Sequence, residues 1–228
     1  FVSDLLATAF AASGQALIRA VSGSYVEVAY FGVANRIYAT ASTTIAQLTI
    51  AFAPFLTVLL AQDQPEMLQL WIERLLKFLA LGGVAIAFAT LFLADGLVPP
   101  VFGKAYLPVA ANLVPLTLTL LVVAVTNTAH LLTVVYERPR VPLIAAGLRL
   151  ATFWIIGWPL IAWRGSEGAC LAVLVASLAQ GIYYAREMQQ ALRYSALKLT
   201  WVIGLGALFL PLLRLKSSLA INVALYGL

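Results

Sequence analysis

AYLPVAANLVPLTLTLLVVAVTNTAHLLTVVY, residues 105–136, runs for 32 positions without Asp, Glu, Lys or Arg. A helix needs roughly 20 apolar residues, about 17–25, to cross the hydrocarbon core of a bilayer. This stretch exceeds that length, and it lacks the roughly ten-residue alternating segments that a transmembrane β-barrel would show. It reads as a spanning helix, and the rest of the chain repeats the pattern. Residues 37–62 carry no ionisable side chain, residues 78–94 and 168–185 are uncharged, and residues 141–163 are interrupted by Arg149 alone. Residues 199–213 give a shorter run between Lys198 and Arg214, whose long stems snorkel outward. Residues 5–18 make the first helix, between Asp4 and Arg19, and Leu219–Leu228 the opening turns of an eighth. The expected fold is an all-α integral membrane protein, a polytopic bundle of about seven transmembrane helices plus a truncated eighth.

Composition agrees. The 228 residues are 63% hydrophobic and 10% charged, and the mean hydropathy is +0.97. An average soluble domain is about 45–50% apolar and about 25% charged. One cysteine, Cys170, leaves no disulfide scaffold. The chain begins at Phe1 with Asp4 in place of a basic leader and stops inside an apolar run at Leu228. It is therefore expected to be a piece of a larger membrane protein.

The net charge of +5 is scattered over short loops rather than gathered on one face, which argues against a nucleic-acid partner. A positive-inside bias explains it better. Connections after the second, fourth and sixth helices hold Arg74, Lys77, Arg138, Arg140, Arg186, Arg193 and Lys198, while the alternate connections hold Lys104, Arg164, Arg214 and Lys216, with Arg19 a fifth. That bias places 63–77, 136–142 and 186–198 in the cytoplasm. Gln62–Glu66 reads as a helix stop and restart, with Asp63 the N-cap and Pro65 in the first turn. Beyond it Leu68, Trp71, Ile72, Leu75, Leu76 and Leu79 fall on one helical face, the pattern of an amphipathic helix lying at the membrane surface. The basic segment 186–198 is expected to lie against anionic headgroups.

Ionisable groups inside a bilayer are the best functional pointers, because each costs a few kcal/mol or more unless paired or hydrated. Arg36 sits about two turns into the second helix, followed at four, seven and eleven residues by Thr40, Thr43 and Gln47. This polar stripe is expected to face other helices or a water-filled cavity. Arg149 reaches either a phosphate or the cytoplasmic interface. In the fourth helix Thr119, Thr126, His130 and Thr133 form a weakly polar face with Asn127 beside it, and His130 is the one histidine. A pH-linked role for His130 and a plain interfacial hydrogen bond both remain open. Pro108, Pro115, Pro159 and Pro211 lie in or near helices. Gly82-Gly83 and Gly204-x-Gly206 read as close-packing sites. No HExxH, Cys/His cluster, GxSxG or Walker loop is present, so neither enzyme activity nor a metal or cofactor is expected.

Two strings carry a resemblance. Val28–Ile37, VAYFGVANRI, is similar to the VGxYxxAxRI opening of a helix in polysaccharide flippases. Val101–Ala110, VFGKAYLPVA, is similar to their hFGxxYxxA turn between two helices, and Ala53-Pro54 matches a proline near the end of the earlier one. In layout the chain resembles the C-terminal half of a Wzx-type oligosaccharide flippase of the MATE-like (MOP) exporter superfamily. The resemblance implies a six-helix transporter bundle at 1–191, additional helices at 192–228, and one half of a V-shaped transporter in a bacterial or archaeal cytoplasmic membrane. It implies that the chain, with a missing N-terminal half, moves prenyl-diphosphate-linked oligosaccharide to the outer leaflet through a cationic cavity. Arg36, Arg149 and Arg19 would meet the diphosphate, Thr40, Thr43, Gln47 and Asn127 the sugar hydroxyls, and His130 would line the same cavity. Relatives often carry an acid where Ser13-Gly14-Gln15 stand here, which puts ion coupling at that point in doubt. The alternatives are a drug or cation antiporter of the same superfamily, which needs buried carboxylates where only Asp4 is expected in a helix, and a polyprenyl-linked membrane glycosyltransferase, for which Asp95 and Glu167 each stand alone.

Overall fold

A computed structural model describes residues 2–192, which lie within one compact unit, Phe1–Tyr194. The expected helices at 199–213 and 219–228, the 192–228 segment and Pro211 lie outside the described residues. Every α-element is a helix: α1 (Val2–Ser22), α2 (Tyr25–Ala51), α3 (Ala53–Ala61), α4 (Pro65–Phe102), α5 (Pro108–Val135) and α6 (Arg140–Leu192), with a 3₁₀ turn at Lys104–Tyr106 before α5. Among the described residues there is no strand.

Among the described residues, four stretches are long and apolar enough to cross a bilayer: Leu5–Ser22, Tyr25–Ala61, Pro108–Val135 and Arg140–Met188. They coincide with the expected first, second and fourth helices and with the fifth and sixth together. The last stretch is a hairpin. Gly165 sits at φ 57°, ψ −130°, a backbone region that side chains other than glycine avoid, and it divides α6 into two arms, 140–164 and 166–192. The arms return so tightly that a Cβ on Gly168 would lie 2.0 Å from the Leu160 carbonyl oxygen. α5 is the central element, with 78% of its apolar window buried against 22% for each of the other three. It packs against α2, α4 and the second arm of α6. Its Thr119, Thr126 and Thr133 are buried, each donating its hydroxyl to its own helix's backbone, so the weakly polar face of this helix is a packing face.

Four readings change in detail. α2 begins at Tyr25, so Arg36 lies eleven residues, about three turns, into it rather than two. The 66–79 segment is no separate surface helix: α4 runs unbroken for 38 residues, and Leu68, Ile72, Leu75, Leu76 and Leu79 are buried in the bundle. The same apolar periodicity serves a membrane surface or a neighbouring helix, and here the neighbours are α3 and α5. Asp63 is not the cap; it takes φ 52° in the turn, and Gln64 precedes Pro65 without a side-chain cap bond. Of the glycine pair, Gly83 meets Leu121 closely, whereas a Cβ on Gly82 would meet nothing within 4 Å.

Candidate functional site

α2 has two opposed faces. Phe31, Ala34, Tyr38, Ile45 and Thr49 are buried. At 100° per residue, Arg36, Thr40, Thr43 and Gln47 centre on a line about 170° from them, and all four are exposed. The stripe therefore does not face other helices among the described residues, because α2 spends its opposite face on packing. Thr40 donates to the Arg36 carbonyl at 3.0 Å, Thr43 to Ala39 at 2.8 Å and Thr44 to Thr40 at 3.0 Å, which leaves each hydroxyl oxygen free to accept. Arg36 and Gln47 stand out from the bundle on this face.

Arg149 lies on the other side of α2. On the first arm of α6 it shares a side with buried Pro142, Ala145 and Phe153, while Trp154, Ile155 and Trp158 point away. Its guanidinium stands 4.0 Å over the Phe10 ring of α1, and Nη2 donates to the Tyr38 hydroxyl of α2 at 3.4 Å. Phe10 in turn packs edge-on against Phe153. Nε is buried without a hydrogen-bond partner, and no carboxylate among the described residues pairs with the side chain. A cation over an aromatic face gains about 0.5–2 kcal/mol, less than a few kcal/mol of burial. Among the described residues the site is cationic and has no neutralising carboxylate.

The other expected site residues sit apart from both. Arg19 ends α1, donating to the Gly23 carbonyl and stacking 3.4 Å over the Tyr25 ring, where it complements a helix C-terminus and closes the α1–α2 turn. Asn127 leaves Nδ2 buried without a partner on α5. His130 is exposed, with Nδ1 3.3 Å from the Tyr184 hydroxyl. Near it, at the end holding the α5–α6 turn, a shallow crevice open to solvent is lined by Leu132, Thr133, Tyr136, Arg138, Tyr184 and Glu187. Burial among these groups pushes the Tyr136 phenol above its ordinary value of 10.0, partly offset by Arg138. Among the described residues no group of three His, Cys, Asp or Glu side chains is placed to hold a metal.

One cluster escaped the sequence reading. Glu27, in the first turn of α2, accepts the Ser166 backbone N–H at 2.6 Å through Oε2, and Asn112 of α5 donates to the Ser166 hydroxyl at 3.0 Å. Asn112 and Ser166 are buried. The turn of α6 is thus clamped by two other helices. The signal was Ser24-x-x-Glu27, a capping-box pattern. Ser24 does receive the Glu27 N–H, at 3.4 Å, but the Glu27 carboxylate goes to a second helix's first turn instead of back to Ser24. Glu27 is thus an acid inside a helix in addition to Asp4. Asp95 lies in α4, and Glu167 pairs with Arg164 at 3.0 Å.

No protein-family model matches the chain, and neither a curated protein nor a solved structure matches it.

Proposed function

We propose that this chain is one half of a membrane carrier, similar to the C-terminal half of Wzx-type flippases, that moves prenyl-diphosphate-linked oligosaccharide from the cytoplasmic to the outer leaflet of a bacterial or archaeal inner membrane. It acts as a carrier, not an enzyme. A second, N-terminal bundle faces it across a central cavity, and the two alternate between inward-open and outward-open states. One observation carries the proposal: Arg36, Thr40, Thr43 and Gln47 form an exposed polar face directly opposite the packing face of an otherwise apolar α2. A lipid-facing helix has no use for a cation and an amide at that position. A passage for an anionic headgroup with sugar hydroxyls does, since a guanidinium grips diphosphate oxygens through charge-assisted bonds while Thr and Gln exchange hydrogen bonds with hydroxyls. In this reading 63–77, 136–142 and 186–198 face the cytoplasm.

The test joins the chain to its N-terminal half in proteoliposomes and follows protection of a prenyl-diphosphate oligosaccharide from an external glycosidase. Wild type is expected to transport and Arg36→Ala to lose about tenfold or more in rate, the effect of one lost charge-assisted contact. Transport unaffected by Arg36→Ala would remove the stripe from the pathway; no transport of any lipid-linked glycan would overturn the reading. A second reading, a cation antiporter of the same superfamily, is favoured by one observation, the half-buried carboxylate of Glu27. Drug efflux driven by a sodium or proton gradient and lost in Glu27→Gln would support it.

A further inference from the structure

The Arg149 guanidinium lies inside the bundle on the face of α2 opposite the stripe, so it is a separate feature of the molecule. Three helices meet there: α1 supplies Phe10, α2 supplies Tyr38 and the first arm of α6 supplies Arg149 and Phe153. The junction is closed on one side only. α1 is buried at Ser13, Gly14, Leu17 and Ile18, towards its Gly23 end, whereas none of residues 5–12 is buried. Arg149 packs on Phe10, in the less buried half of α1, and its side chain is half-buried. It is nine residues, about 13 Å, from the start of α6. Of its five N–H donors, Nη2 makes a single long bond to Tyr38, and Nε has no partner.

We infer that this junction is a binding site for a phosphate-ester oxyanion, held by the Arg149 fork and oriented by Tyr38 and Phe10. A fixed positive charge in an apolar setting, with no carboxylate beside it among the described residues, attracts an anion that brings its own acceptors. The planar guanidinium presents paired donors that match two oxygens of a tetrahedral phosphate. The Phe10 ring holds one face of the guanidinium and leaves its edge for the ligand, while the Tyr38 hydroxyl donates its own proton to the anion or accepts from Arg149. Phosphate reaches the half-exposed guanidinium from two sources, a phospholipid headgroup of the adjoining leaflet or a phosphate in the aqueous phase. The site stands whether or not the chain carries a lipid-linked glycan, and its occupant is not the transported cargo of the proposed function.

The experiment reads the reactivity of Arg149 in the unmodified chain. The purified protein is placed in nanodiscs of a phosphate-free galactosyl diacylglycerol and treated with phenylglyoxal, and the modification of each arginine is quantified by peptide mass spectrometry. The measurement is repeated with inorganic phosphate added, and again in nanodiscs containing phosphatidylglycerol. Arg149 is expected to react about tenfold more slowly when phosphate is supplied by its true source, while exposed Arg164 keeps its rate. Protection by phosphatidylglycerol alone identifies a headgroup, and protection by inorganic phosphate identifies an aqueous phosphate. Tyr38→Phe and Phe10→Leu are each expected to weaken the protection of Arg149. Equal labelling of Arg149 in all three media, or no labelling in any, overturns the site. Glycan transport with unprotected Arg149 sinks this inference alone, and protection without transport sinks only the proposed function.

Discussion

Gly168 and Glu27 show what single positions decide. A methyl group on Gly168 would lie 2.0 Å from the carbonyl oxygen of Leu160, and a backbone atom has no rotamer by which to yield. Gly168→Ala is expected to destabilise the bundle by about 3 kcal/mol in reversible unfolding from mixed micelles, whereas Gly82→Ala, with open space around it, is expected to be neutral or slightly stabilising. Glu27→Ala removes the acceptor of a 2.6 Å bond from the first turn of the second α6 arm. It is expected to cost about 2 kcal/mol in the same assay, and Glu27→Gln, which keeps a carbonyl oxygen, clearly less. The sequence announced Glu27 through Ser24-x-x-Glu27 but not its destination, because a carboxylate three residues after a cap serves its own helix or a neighbour's with the same spacing. Arg149 was legible as a costly charge. That it points at Phe10 and Tyr38 was not, since neither residue carries a local pattern linking it to a position more than a hundred residues away.

At the scale of elements, charge-free runs located the helices because bilayer thickness sets their length. Packing was less legible. The 66–79 stripe of α4 and the Thr-bearing face of α5 have periodicities that fit a membrane surface, a cavity or a neighbouring helix equally well, and the structure puts both against neighbours. Inside a bilayer hydrophobicity does not separate core from exterior, so Phe78 and Ile155, each 74% exposed, are as apolar as the buried residues beside them. The turn between α5 and α6 offers a pH test. Burial raises the Tyr136 phenol from its ordinary 10.0, an effect larger than the opposing one of Arg138. The fold thus favours the neutral phenol, a contribution fully present below pH 10 and lost as pH rises through the raised value. Thermal unfolding of wild type and Tyr136→Phe, followed from about pH 9 to about pH 12, is expected to show wild type losing more stability at the alkaline end. Equal losses would place the phenol in water.

For the whole molecule, the two faces of α2 divide the bundle's tasks. One face holds Phe31, Ala34 and Tyr38 against the other helices, and the opposite one presents Arg36, Thr40, Thr43 and Gln47 to whatever lies beyond. The central claim is that water and a polar cargo lie there, not lipid tails. A membrane-impermeant maleimide applied to each side of membranes carrying the protein tests it directly, with Cys170 buried and silent as background. Thr40→Cys, Thr43→Cys and Gln47→Cys are compared with Ile37→Cys and Leu48→Cys, which are exposed but lie about 100° round the helix from the stripe. The three stripe positions are expected to label from at least one side while Ile37→Cys and Leu48→Cys stay protected. Protection at all five positions would mean that lipid covers the stripe, and would contradict the claim.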